Sequence, residues 1–175
     1  MEVVIMKYGI VAFPSKEVQD FANGYRMRYD SHYAQIPPHI TLRGEVETDE
    51  AGLKEVANRL FDVTKDAKAF HISVPKVGTF KPINNVIYLK VDADEALYDL
   101  NKALHVEDFG GPAQYQYVPH ITLAQGITAD ELEDIYGQLR MTQINFSEEI
   151  DRIHLLYQLE NGSWTVYETF RLQKD

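Results

Sequence analysis

Two identical five-residue stretches carry most of the chemistry this chain could perform: Pro38-His39-Ile40-Thr41-Leu42 and Pro119-His120-Ile121-Thr122-Leu123. An imidazole with an ordinary pKa of about 6.5 populates both protonation states near neutrality, so it can act as acid or as base. Two of them can divide a phosphodiester cleavage. One takes the proton of the attacking water, the other protonates the departing oxygen, and each positioned group contributes on the order of 10² to 10⁴ in rate. In an extended strand alternate side chains share a face, which sets His39 beside Thr41 and His120 beside Thr122, with Ile and Leu packed behind. The threonine hydroxyls can donate to non-bridging phosphate oxygens, where charge grows in the transition state.

Arg43 falls on the same face as His39 and Thr41, whereas the second copy carries Ala124 at the matching place. A guanidinium there could contact a phosphate or a neighbouring ligand group, and a solvated surface arginine is an equal reading. The expected site is therefore His39, His120, Thr41, Thr122 and Arg43. The other four histidines, at 32, 71, 105 and 154, read as structural. Phe80, Tyr115 and Tyr117 could stack a base at the mouth of a cleft, although packing is the commoner fate of such aromatics. The motif histidines lack short ligand spacing and a carboxylate partner, so no metal is expected, and no other cofactor. Neither a Gly-x-x-x-x-Gly-Lys loop nor a Gly-x-Ser-x-Gly elbow occurs in the chain.

The elements that must position these residues follow from local pattern. Residues 5–13 are apolar and β-favouring and stop at Pro14, which predicts a strand. Ser15 then caps a helix with apolar positions Val18, Phe21, Ala22 and Tyr25, ending near Tyr29. Pro37 and Pro38 impose an extended entry into a strand over 39–46. Thr48 or Asp49 caps a second helix to about Lys65, followed by a strand over 69–74. Gly78, Pro82 and Asn84-Asn85 mark 77–84 as a loop or bulged connection before a strand over 86–91. A helix over 93–106, a break at Gly110-Gly111-Pro112, a strand over 115–123 and a helix over 128–140 come next. The acidic runs, including 148–151, read as solvated caps and helix starts. The chain closes on a hairpin, 151–159 with 163–172, turning at Asn161-Gly162.

Each half thus runs strand, helix, motif strand, helix, strand. Tyr8 precedes His39 by 31 residues, Tyr88 precedes His120 by 32, and the two histidines are 81 apart. This repetition predicts a duplication with a pseudo-twofold axis: one domain spanning 1–175, its lobes built around repeats at about 5–75 and 85–158 plus a C-terminal strand.

Length and composition set the outer limits. A chain of 175 residues, 45% hydrophobic and 25% charged, is an ordinary globular domain with a proper core. Zero cysteines excludes disulfides, thiolate metal sites and cysteine nucleophiles, and fits a reducing interior, so a cytoplasmic location is expected. No apolar run reaches the roughly 18 to 20 residues that span a bilayer, and no membrane partner is expected. A formal charge of −10 opposes extended, sequence-independent nucleic acid binding, which needs lysine and arginine along the backbone. Any nucleic acid ligand is expected to be small, or held in a local basic cleft.

The paired His-x-Thr-hydrophobic motifs, their spacing and the duplicated halves resemble the 2H phosphoesterase superfamily, which includes 2',3'-cyclic phosphodiesterases and 2'-5' RNA ligases. The opening Lys7-Tyr8-Gly9-Ile10-Val11 and the closing 155–164 segment, Leu-Leu-Tyr-Gln-Leu-Glu-Asn-Gly-Ser-Trp, are similar to its YjcG-like branch. The resemblance implies an α+β, bilobal, LigT-like fold in which two antiparallel sheets line a central cleft with helices outside. It also implies hydrolysis of a cyclic phosphodiester, with a small nucleotide or an RNA terminus as the partner, His39 as proton donor and His120 as acceptor. The pseudo-symmetry leaves the exchange of those two roles open. A nucleotide or RNA-end binding module with little catalysis, and RNA 2'-5' ligation, are the alternative readings.

Overall fold

The computed structural model describes residues 3–174, which form an α+β molecule of ten strands, four α-helices and one 3-10 turn among the described residues. The first repeat supplies β1 (Met6–Ala12), α1 (Lys16–Tyr29), β2 (Ile40–Thr48), α2 (Glu50–Thr64) and β3 (Phe70–Val74). Then come β4 (Val77–Thr79), β5 (Ile87–Lys90), β6 (Asp92–Ala93), α3 (Glu95–Ala103), β7 (His120–Ala124), α4 (Ala129–Leu139), β8 (Phe146–Ile150), β9 (Arg152–Gln158) and β10 (Trp164–Arg171). Helix starts follow the caps: Ser15 accepts from the Val18 N–H, Asp49 from Gly52, and Thr128 with Glu131 forms a reciprocal capping box.

All strand pairs within the sheets are antiparallel, in the orders β10-β9-β1-β2, β4-β5-β7 and β6-β3-β8. The first two sheets are the lobes and carry the two motif strands, β2 and β7. The third is shared between them, because β3 closes the first repeat, β8 closes the second, and the two pair with each other. The lobes also exchange strands. β4 follows β3 in the chain yet pairs with β5 in the second lobe, and β9 follows β8 yet pairs with β1 in the first. Strand β9 therefore falls inside the second repeat by sequence, at 85–158, but hydrogen-bonds into the first lobe.

Several elements depart from the sequence expectation. Residues 77–79 form a strand rather than a loop, since their backbone completes the β5 edge. The motif strand of the second lobe begins only at His120; residues 115–119 run unpaired along the cleft. Glu148 and Glu149 lie within β8 rather than at a helix start. Glu148 accepts from both the backbone N–H and the hydroxyl of Ser15, at 2.8 and 2.7 Å, which ties the start of α1 to the shared sheet.

The core runs through both lobes. Ile40 and Leu42 from the first motif and Ile121 and Leu123 from the second are fully enclosed, as are Ile10, Ala12, Ile87 and Leu89 from the strands beside them. Burying a side chain of this size stabilises the fold by roughly 1.5 to 3 kcal/mol each. The apolar half of each motif thus anchors its strand while the polar half faces away.

A candidate active site across the two motif strands

The two motif strands carry the same irregularity. Thr41 pairs with Val11 and Arg43 with Ile10, leaving Leu42 as an extra residue; Thr122 pairs with Tyr88 and Ala124 with Ile87, leaving Leu123. These twin bulges sit inside the motifs, where a bulge turns the strand and re-aims its side chains. The register also corrects the spacing argument. Val11, not Tyr8, is the counterpart of Tyr88, and Tyr8 is a fully enclosed residue paired with Val46.

The two imidazoles are held alike. His39 Nδ1 lies 2.8 Å from the Pro37 carbonyl and His120 Nδ1 lies 2.7 Å from the Val118 carbonyl. A carbonyl only accepts, so Nδ1 carries the hydrogen in both rings and Nε2 is left with the lone pair. The prolines at 38 and 119 explain this, since a residue before proline is extended, which brings its carbonyl back towards the ring two residues on. Each motif therefore presents Nε2 as the working nitrogen.

Both rings are half-buried, packed by protein on most sides with one surface left on a cavity. Burial strips hydration from the imidazolium and lowers the pKa of His39 to about 4, opposed by the Pro37 carbonyl and helped by the charges of Arg26 and His120. Burial also lowers the pKa of His120, against the Val118 carbonyl. In the free protein both rings are neutral at pH 7.

His120 lines a cavity of about 790 Å³ and His39 an adjoining one of about 230 Å³. Thr41, Arg43, Gly44 and Glu45 line both, so the middle of β2 is the wall they share. Arg43 is half-buried there, and its Nη1 donates to the Gly111 carbonyl at 2.7 Å. Thr122 is half-buried and shares the face of β7 with His120, but it lines neither of these two cavities.

The aromatics expected at the mouth take three different places. Phe80 meets the His120 ring edge-on at 5.0 Å, and Tyr88 does so at 5.3 Å. Tyr117 donates its hydroxyl to the Thr41 carbonyl, while Tyr115 stands 84% exposed on the rim of the larger cavity. Of the histidines read as structural, His105 lines the larger cavity and His32 the smaller.

Sequence reasoning missed the side chains that join the lobes behind these residues. The Leu42 carbonyl accepts from the buried Asn101 amide at 2.8 Å, which supplies this backbone group of the bulge residue with a partner. Asp30 accepts from Arg26 Nε at 3.0 Å, from the His32 N–H and from the Gln125 side chain at 2.9 Å, so one buried carboxylate joins α1, the approach to His39 and the exit from the second motif. Arg26 also donates to the Ile36 carbonyl. An arginine at the buried position of a helix otherwise apolar on that face was the available clue. Among the described residues no group of three or more His, Cys, Asp or Glu side chains could hold a metal ion, and no helix is long and apolar enough to cross a membrane.

Comparison with known proteins agrees with this architecture. The model of the 2'-5' RNA ligase superfamily matches residues 14–162. A Geobacillus sp. (strain WCH70) protein named "Putative phosphoesterase GWCH70_0799" is 52% identical over 165 residues, covering 94% of this chain and 95% of its own. A Bacillus pumilus (strain SAFR-032) protein named "Putative phosphoesterase" is 48% identical over 170 residues, covering 97% and 99%. The crystal structure of E. coli LigT complexed with 3'-AMP superposes with a TM-score of 0.68 at 15% identity, covering 97% of this chain and 99% of that one. That of TT0787 from Thermus thermophilus gives 0.68 at 18%, covering 97% and 100%. At those identities the structural likeness speaks for the fold, and the sequence matches carry the family. The chain belongs to the 2'-5' RNA ligase superfamily, the 2H phosphoesterases.

Proposed function

We propose that this protein hydrolyses a cyclic phosphodiester, a 2',3'-cyclic nucleotide or the same group at an RNA terminus, by acid-base catalysis between His39 and His120. The observation that carries the reading is the matched fixing of both rings: each Nδ1 is committed to a backbone carbonyl, and the two histidines line adjoining cavities. His120 Nε2 takes a proton from water as the water oxygen bonds to phosphorus. One ring P–O bond breaks, and its oxygen takes the proton from His39 Nε2, leaving a phosphate monoester. Two nitrogens do the work.

His39 is neutral in the free protein, so it gains its proton when the phosphate anion arrives and favours the charged ring. Thr41, on the shared wall, donates to a non-bridging oxygen, and Arg43 offers the guanidinium beside it. Thr122 takes the matching role on the His120 side by the symmetry of the motifs.

Relatives named as phosphoesterases and a structural neighbour complexed with 3'-AMP support this substrate class. The test is turnover of a 2',3'-cyclic nucleotide in excess chelator. His39→Ala and His120→Ala should each cost about 10² to 10⁴ in kcat with the fold intact by circular dichroism. Full activity in either variant would refute the scheme.

A further inference from the structure

Charge around the two cavities is sparse. Among the described residues, Arg43 is the only lysine or arginine lining either, and Glu45 is the only carboxylate. Nearby cations are already paired: Lys7 with the wall carboxylate Glu45 at 3.4 Å, Lys81 with Glu133 at 2.7 Å, and Arg59 with Glu55 and Asp108 at 3.2 and 3.7 Å. The chain as a whole carries −10.

The larger cavity is instead apolar at its rim. Ile83 is 85% exposed and Tyr115 84%, on opposite segments of chain, with Val118 beside them. Asn84, Gln114 and Gln116 stand between, offering amide donors and acceptors without charge. Such a surface suits a flat, uncharged ring whose edge is hydrogen-bonded. The smaller cavity, at about 230 Å³, is less than a third the size of the larger, so the bulkier group on phosphorus goes to the larger one.

We infer that the substrate brings one negative charge only: a single phosphodiester at Arg43, an uncharged nucleoside in the larger cavity, and water or a compact uncharged group in the smaller. The inference rests on the proposed hydrolysis and narrows it, selecting a free cyclic nucleoside monophosphate over an RNA end that continues into further phosphates. A second phosphate entering the larger cavity meets neutral amides and the Glu45–Lys7 pair, and loses hydration without gaining an unpaired opposite charge.

The experiment compares a 2',3'-cyclic nucleoside monophosphate with the same molecule bearing a 5'-phosphate, at low and high salt. The expected result is a kcat/KM at least tenfold lower for the 5'-phosphorylated form, chiefly through KM, with the gap narrowing as salt screens the repulsion. Equal or better turnover of that form, or a gap that salt leaves unchanged, overturns the inference while leaving the hydrolysis standing. If neither compound turns over, the hydrolysis reading fails, and calorimetric binding of the same pair decides the charge preference: equal affinity overturns it, and weaker binding of the 5'-phosphorylated form supports it. Tyr115→Ala should reduce the preference for the nucleoside over a base-free five-membered cyclic phosphate. A preference left intact in that variant overturns the assignment of the rim.

Discussion

The Tyr117 hydroxyl donates a 2.7 Å hydrogen bond to the Thr41 carbonyl, so the segment leading into the second motif grips the first. Tyr117 stands just ahead of Val118 and Pro119, and burial pushes its phenol well above its ordinary pKa, which keeps it a donor at any working pH. Its hydroxyl acts as a positioning group, tying the approach to the second motif strand to the backbone of the first. Tyr117→Phe keeps the ring and removes only the bond. A net hydrogen bond of about 0.5 to 1.5 kcal/mol predicts a modest fall in Tm, roughly 2 to 4 °C per kcal/mol for a chain of this size. The expected kinetic effect is larger, about tenfold in kcat with KM nearly constant, because misplacement of reacting groups costs more than the bond itself. Stopped assays on a cyclic phosphodiester and a melting curve check the two together.

Gly78 makes a second, sharper prediction. A Cβ at that position would stand 2.9 Å from the Tyr88 ring, and Tyr88 in turn packs on His120. Gly78→Ala must therefore displace the tyrosine from the imidazole it flanks. The expected outcome is a loss of activity of about tenfold or more, with a change in the pH dependence of kcat/KM on its acid side. An unaltered profile would show that Tyr88 has no bearing on His120.

The lowered histidine pKa values predict a stability signature as well as a kinetic one. His39 titrates near 6.5 when unfolded and near 4 when folded, so between those values the unfolded chain binds more protons. Its contribution to stability is complete above pH 6.5 and is lost as pH falls towards 4, at no more than about 1.4 kcal/mol per pH unit and less where water reaches the cleft. His120 adds in the same direction. Thermal melts from pH 7.5 to 4.5 should show His39→Asn losing stability less steeply than the parent protein. Parallel curves would sink the assignment.

Arg26 and Asp30 form an ion pair with both side chains only 2% exposed. Replacing one partner leaves a buried charge uncompensated, which costs about 3 to 5 kcal/mol. Asp30→Asn should thus lower Tm on the order of 10 °C. It should also impair activity, since the single amide oxygen cannot serve Arg26, the His32 N–H and Gln125 together as the carboxylate does. Arg26→Met with Asp30→Leu, which removes both charges, should recover much of the stability and little of the activity.

The motif strands, the four helices and the closing hairpin were legible because each carries a local code. Ser15, Asp49 and Thr128 mark helix starts, and Asn161-Gly162 marks the turn. The cleft came from the family resemblance rather than from local pattern, and Thr122 lines neither of the two cavities that the motif histidines share out. What escaped is what depends on a partner strand. A bulge at Leu42 has no sequence code of its own, because it exists only relative to Val11 and Ile10. Strand β8 carries Ser147, Glu148 and Glu149 in its middle and reads in sequence as a capping run, since the charge reflects its solvent-facing surface rather than its backbone. Asn101 read as an ordinary helix residue, and Tyr117 as a strand residue able to stack a base, until the neighbouring lobe was set against them.

The traded strands β4 and β9 reach beyond the site to the architecture as a whole. A single repeat released at residue 75 would lack the outer strand that completes its own sheet, while a tail continuing past it would suit the sheet of another copy. Two copies of such a half would each mend the other, and the hollow between them would hold one histidine from each. On this logic neither half is self-sufficient, and separately produced halves should assemble with each other in a concentration-dependent way.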